Sequence, residues 1–218
     1  MLDKASFKVV EKFVSIEGEG IRSGYPAIFI RFAGCNLSCS FCDTKYATQN
    51  PEYDQMAAQQ ILEYAKSTGF KKVTLTGGEP LIQPHIHELI DAFIKEGFEV
   101  NIETNGSVDI RDVNRNAIIT MDYKCPSSGM EDKMFLENIK HLGKQDVLKF
   151  VVGTRQDLQR AVEIIRTFEP SCNIYFSPVY GKIEPKEIVD FMIQNKLQNC
   201  RLQLQLHKII WPDRERGV

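Results

Sequence analysis

Cys35, Cys39 and Cys42 fall within eight residues, in the stretch Cys35-Asn36-Leu37-Ser38-Cys39-Ser40-Phe41-Cys42, while Cys125, Cys172 and Cys200 are scattered. Thiolates are soft ligands that suit zinc or iron–sulfur clusters. The C-x3-C-x2-C spacing supplies three of them, where a closed tetrahedral site needs four. A [4Fe–4S] cluster on three cysteines keeps one iron open to a further molecule, whereas zinc would need a distant fourth ligand such as Cys125 or His207. The remaining reading is three buried thiols packed as small hydrophobes, and the density of the cluster counts against it. A second stretch, Gly77-Gly78-Glu79-Pro80, lets backbone approach a ligand closely, although glycines and a proline also make ordinary turns.

These residues must be held by a scaffold, and short β-branched runs alternating with amphipathic segments predict βα units on a parallel sheet. The expected strands are 8–14, 27–32, 72–75, 99–103, 117–122, 148–152, 173–176 and 201–206; the expected helices are 56–68, 84–96, 131–141, 156–168 and 185–195. Ile61, Leu62 and Ala65 recur at helical spacing, as do Ile86, Leu89, Ile90 and Phe93, giving each helix one face to bury. No repeat or Gly/Ser/Pro-rich linker divides the chain, so residues 1–218 read as one domain. A complete eightfold barrel takes about 250 residues, and Asn105 to Asn116 is too short and polar for a crossover helix. The expected fold is therefore α/β, a shortened, partly open (β/α) barrel. Ligands of such folds gather at the carboxyl ends of the strands, with bulky apolar side chains filling the rest. Gly34-Cys35, Thr76 to Pro80, Thr104 to Gly106, Lys124 to Ser128, Gly153-Thr154 and Ser177-Pro178 all follow expected strands.

The 27 Lys and Arg residues against 29 Asp and Glu give a net charge of −2, which argues against a nucleic-acid partner because phosphate binders carry a basic excess. No apolar run reaches the roughly 20 residues of a membrane helix, and the first residues lack a secretory h-region. A cytoplasmic location is expected, where six cysteines do not imply disulfides.

The cysteine loop resembles the signature of the radical S-adenosylmethionine (SAM) superfamily, including the aromatic Phe41 directly before the last cysteine, and Gly77-Gly78-Glu79-Pro80 resembles its second hallmark. Over nearly its whole length the chain is similar to the 7-carboxy-7-deazaguanine synthases of queuosine biosynthesis. The matching stretches are Phe13 to Gly20, Arg31 to Cys35, Cys42-Asp43-Thr44, Thr76 to Pro80, Glu103 to Gly106, Lys124 to Gly129 and Gln205 to Lys208.

The resemblance implies a radical SAM lyase that contracts 6-carboxy-5,6,7,8-tetrahydropterin to 7-carboxy-7-deazaguanine with loss of ammonia. It implies a [4Fe–4S] cluster on Cys35, Cys39 and Cys42, SAM, and Mg²⁺ on Thr44. It further implies pterin contacts from Ile16, Glu17, Gly18, Arg31 and Thr76, with Arg31 on the substrate carboxylate. Gly78, Asp122, Tyr123, Lys124, Ser177, Pro178, Val179 and Tyr180 would meet SAM. A flavodoxin- or ferredoxin-type electron donor and a homodimer follow from the same likeness. Two rival functions are an activating enzyme that takes hydrogen from a glycine of a partner protein, and a zinc-binding module without activity.

Each residue also has a plain reading. Arg31 could make a structural ion pair, Thr44 could cap a turn, and Glu17 and Glu19 could be solvated turn carboxylates. His85 and His87 face solvent or a neighbour on an expected helix, His207 stands at a strand end among the motifs, and Cys125, Cys172 and Cys200 are packed thiols.

Overall fold

The computed structural model describes residues 5–218. Its elements in order are β1 (Ser6–Ile16), β2 (Pro26–Phe32), α1 (Lys45–Thr48), β3 (Asp54–Ala57), α2 (Ala58–Ser67), β4 (Lys72–Gly77), α3 (Ile86–Lys95), β5 (Glu99–Thr104), β6 (Ile118–Lys124), α4 (Asn138–His141), β7 (Val147–Val152), α5 (Arg155–Phe168), β8 (Asn173–Pro178), α6 (Pro185–Gln194), β9 (Cys200–Leu202) and α7 (Leu206–Ile210). One nine-stranded sheet has the order β3-β1-β2-β4-β5-β6-β7-β8-β9. β1 runs antiparallel to β2 and β3, and the other pairings are parallel. The two edges do not pair with each other, so the barrel is open as expected. No helix among the described residues is long and apolar enough to cross a membrane.

Successive side chains of a strand point to opposite faces, and the sequence uses that period to separate two environments. Val73 and Leu75, Val100 and Ile102, Ile119, Met121 and Tyr123, and Leu148 and Phe150 all enter the core against Ile61, Leu62, Leu89, Phe93 and Leu158 of the helices. Burying each such large side chain contributes about 1.5–3 kcal/mol. The alternate residues Thr74, Thr76, Asn101, Glu103, Thr120, Asp122, Lys124 and Lys149 face the concave side. The expected bulky apolar interior is thus corrected: the hollow of this barrel is polar.

Two irregular segments close the hollow. The β1–β2 loop enters at the beginnings of the parallel strands, where Arg22 donates to the carbonyls of Glu99 (2.9 Å) and Val73 (3.2 Å). Segment 203–218 crosses the open seam: the Gln203 side chain accepts from Gly20 N–H at 2.6 Å, Gln205 donates to Glu19 at 2.9 Å, and Gly217 N–H donates to Glu11 at 3.2 Å.

Three expected elements differ. The 131–141 helix is reduced to a short 3₁₀ turn and α4, because tertiary bonds capture the segment. Phe135 N–H donates to Gly106, and the buried Asn138 side chain bonds Gly106, Val108 and Ile110. The expected strand 201–206 ends at Leu202 and turns into α7. Residues 56–57 pair with β1, so that helix starts at Ala58.

Candidate functional site

The cysteine loop leaves β2 and is fastened to three neighbouring strand ends. Gly78 N–H donates to Phe32 at 3.1 Å and Glu79 N–H to Gly34 at 2.9 Å, which ties the loop to the end of β4. Beyond β5, the Asn105 amide donates to Asn36 at 3.0 Å and reaches Cys35 Sγ at 3.6 Å. Beyond β6, Ser40 donates from its main chain to Ser128 and from its hydroxyl to Ser127. The strand ends are fastened to one another by two buried carboxylates. Glu79 accepts from Leu81 N–H, Thr104 Oγ1 and Asn105 N–H, joining β4 to β5. Asp157 accepts from Ser127, Gly153 and Thr154, joining β6 to β7. Neither role was expected, although Glu79 stood in a recognised motif.

The donor set fits an iron–sulfur cluster. Cys35, Cys39 and Cys42 are free, half-buried thiols at one rim. Burial raises the pKa of Cys39, and the nearby Lys124 ammonium opposes that rise. Three soft thiol donors carried on one loop match the ligand chemistry of iron–sulfur clusters. Burial pushes Cys172 and Cys200 up to about 11 and Cys125 well above its usual value, which disfavours their thiolates.

On the concave face Arg31, Thr76 and Glu103 stand side by side. Arg31 pairs with Thr76 in the β2–β4 register, and Thr76 Oγ1 donates to Glu103 at 2.7 Å. Burial, with Glu17 and Glu19 nearby, pushes Glu103 up to about 7 against the pull of Lys149. Glu11 accepts from Arg31 Nε at 2.7 Å, leaving the terminal nitrogens of Arg31 without a partner among the described residues. Arg31 therefore makes the ion pair of its plain reading and still offers one edge of its fork.

Glu17 and Glu19 are buried, which corrects their reading as solvated carboxylates. Glu17 Oε2 accepts from Arg22 and Thr74, while Oε1 makes no hydrogen bond among the described residues. Ile16 ends β1 immediately before it. His207 packs on Gly18 so closely that a Cβ there would lie 2.8 Å from Nδ1. Burial holds the His207 pKa below the ordinary value, against the pull of Glu19 and Asp43. Lys149 bridges Glu19 and Asp122, and Lys124 reaches Asp122 at 2.9 Å. Burial alone would raise the Asp122 pKa, yet the two ammonium groups hold it low.

Not every expected residue reaches this face. The Tyr123 side chain points the other way, packing on Phe150 with its hydroxyl on Glu131, so only its main chain can meet a ligand. Pro178 shares that helix-side face, while Ser177 is on the concave side and Val179 flanks Gly153. Tyr180 is 70% exposed and its side chain contributes nothing to the rim. His85 precedes α3 with φ +65 and pairs with Glu88 on the surface; His87 is partly buried, its Nδ1 without a partner.

Thr44 Oγ1 lies 3.7 Å from Cys42 Sγ and makes no cap bond to α1, so its hydroxyl is available as a hard oxygen ligand. The adjacent Asp43 is taken by Lys208 at 3.1 Å.

Residues 29–122 match the radical SAM superfamily. The chain is 53% identical to the 7-carboxy-7-deazaguanine synthase of Clostridium acetobutylicum, over 98% of this chain and 100% of that one. It is 42% identical to the enzyme of that name from Methanospirillum hungatei, over 94% and 86% of the two chains. The fold superposes on the crystal structure of QueE from Escherichia coli with a TM-score of 0.76 at 25% identity, covering 92% of this chain and 94% of that one.

Proposed function

The chain belongs to the 7-carboxy-7-deazaguanine synthases, radical SAM enzymes of the queuosine pathway, and we propose that its polar concave face is the chamber in which 6-carboxy-5,6,7,8-tetrahydropterin becomes 7-carboxy-7-deazaguanine with loss of ammonia. Its cofactors are a [4Fe–4S] cluster and SAM, which when bound supply one-electron hydrogen abstraction. The observation that carries the chamber assignment is the line Arg31, Thr76 and Glu103 beneath the fastened cysteine loop.

Cys35, Cys39 and Cys42 hold the cluster. The main chain at Gly78, packed against the cysteine loop, meets the methionyl end of SAM, and the Asp122, Lys124 and Ser177 side chains with the main chain at 123 and 178–180 line the rest of its site. Arg31 grips the substrate carboxylate through its unpartnered edge, where a planar fork surpasses an ammonium. Glu17 Oε1, Ile16, Gly18, Thr76 and Glu103 surround the pterin ring, and the β1–β2 loop keeps water out from below. Thr44 would hold Mg²⁺ through its hydroxyl oxygen, and the ion would supply positive charge beside the substrate. A flavodoxin- or ferredoxin-type protein delivers the electron, the enzyme is a cytoplasmic homodimer, and residues 1–218 form one radical SAM domain.

Anaerobic reconstitution with iron and sulfide, then incubation with SAM, reductant and the pterin, tests this reading. The expected result is 7-carboxy-7-deazaguanine. SAM cleavage without that product would reject the substrate.

Two further outcomes are expected. Thr44→Ala retains full iron content but loses most of the Mg²⁺ stimulation, read as product rate against Mg²⁺ concentration; unchanged stimulation would remove Thr44 as ligand. The pterin ring presents N–H donors, which a carboxylate accepts better than a carboxylic acid. Because Glu103 is raised to about 7, pterin affinity should rise by up to roughly tenfold in all as pH climbs from about 6 to 8. Glu103→Gln should flatten that dependence in equilibrium binding, and a persisting slope would assign it elsewhere.

A further inference from the structure

β1 slips register by one residue between Val9 and Glu11. Such irregularities re-aim side chains and are over-represented beside active sites. Here the slip sets Glu11 directly opposite Arg31. Glu11 Oε1 accepts from Arg31 Nε at 2.7 Å and from the Tyr46 hydroxyl at 2.9 Å, while Oε2 accepts Gly217 N–H at 3.2 Å. The Arg216 guanidinium lies 4.4 Å from the centroid of the Tyr46 ring. Three separate parts of the molecule thus meet on one carboxylate: the chamber wall through Arg31, the helix after the cysteine loop through Tyr46, and the segment crossing the seam through Gly217.

We propose that Glu11 is a positioning residue that aims Arg31 at the substrate carboxylate and at the same time latches segment 211–218 across the open seam of the barrel. This rests on the assignment of Arg31 to the carboxylate. A guanidinium has two edges that can bind carboxylates. Fixing Nε on Glu11 turns the edge formed by the two terminal nitrogens toward the chamber and removes the rotamer freedom of a long side chain. Gly217 on the second oxygen ties closure of the seam to the same group, so anything that moves Glu11 disturbs both substrate anchoring and the latch.

Glu11→Gln is the first test, since it keeps the shape and one acceptor oxygen but cannot serve all three donors or carry the charge. With the reconstituted enzyme it should raise KM for the pterin about tenfold, with kcat within about twofold and KM for SAM unchanged. Trypsin cleavage of the Arg216–Gly217 bond in the full chain, followed by mass spectrometry, should quicken about tenfold because the latch is released. Deleting residues 216–218 should also raise the pterin KM, and Glu11→Gln added to that deletion should contribute less than about threefold more. Multiplying effects would overturn the coupling, and unchanged cleavage would overturn the latch. If Arg31→Ala raises the pterin KM and Glu11→Gln does not, Glu11 has no positioning role and Arg31 keeps its own. If Arg31→Ala leaves KM unchanged, the carboxylate assignment itself fails.

Discussion

Adding one methyl group, in Gly78→Ala, is expected to prevent iron–sulfur loading and abolish turnover while the sheet still forms. A Cβ at that position would stand inside contact distance of the Gly34 carbonyl and 3.0 Å from Cys35 N. Those neighbours are backbone atoms, and the same two strands are held together by Gly78 N–H to Phe32 and Glu79 N–H to Gly34. They cannot give way without moving the first cysteine. Gly77 is equally constrained, with φ +133 and a virtual Cβ 2.5 Å from Phe32 N. Forcing extra volume into packed structure costs about 1–3 kcal/mol, which the remaining core tolerates. The damage falls on ligand geometry, so the measurement is iron per chain and the visible absorption of the reconstituted variant, beside its urea midpoint. Gly97→Ala is the control: its φ is +78, but its virtual Cβ meets nothing within 4 Å. It should lose about 1–2 kcal/mol of stability from the left-handed backbone and bind iron normally. Full iron in Gly78→Ala would show that the two strand ends have slack.

The second large effect is on stability. Lys149→Met should cost about 3–5 kcal/mol at pH 7, the range for removing one partner of a buried ion pair. Lys149 and Glu19 are each 8% exposed, and Lys149 also reaches Asp122 at 2.8 Å, with Glu103 close enough to add to its positive charge preference. Without the ammonium, Glu19 loses its ion pair and Glu103 the cation that opposes its neighbouring carboxylates. Their folded-state pKa values then rise above the unfolded values, so protonation favours the folded variant. The deficit relative to wild type should therefore shrink as pH falls through about 6 toward 4.5. Urea unfolding across that range reads both quantities. A loss below about 1 kcal/mol at pH 7, or a deficit that grows on acidification, would mean the hollow is wetter or differently charged than the contacts indicate.

Much of this was legible in the residue order, for reasons that are local. Three thiols within eight residues can be recognised without a fold, because a chelating loop carries its own ligand spacing. Gly69 and Gly97 stand just past the ends of α2 and α3, where glycine is the residue that local chemistry favours, and both hold φ +78. The strands and most helices announced themselves through apolar periods of two and about 3.6. Where local signals competed with distant bonds they lost: residues 131–141 have the composition of a helix, but Asn138 is buried among the carbonyls of the preceding loop and Phe135 is bound to Gly106.

The chamber itself was only half visible. Val-Thr-Leu-Thr at 73–76, Val-Asn-Ile-Glu at 100–103 and Thr-Met-Asp-Tyr-Lys at 120–124 alternate polar with apolar residues inside parallel strands, a pattern that signals a hydrophilic hollow on one face and assigns Tyr123 to the other. Glu103 stood in a matched stretch without a role, and Lys149 and Arg22 carried no local mark at all. Their importance comes from partners 130 and 52 positions away.

The sequence by itself determined the family and marked the cysteine loop and the paired glycines, because these depend on residue types at short spacing. Only the tertiary structure decided which carboxylate holds which cation. It showed that Glu79 and Asp157 fasten the strand ends, that segment 203–218 crosses the seam, and that Glu11 stands opposite Arg31. Charges find partners by proximity in space, and one slipped residue in β1 is enough to change which proximity the chain creates.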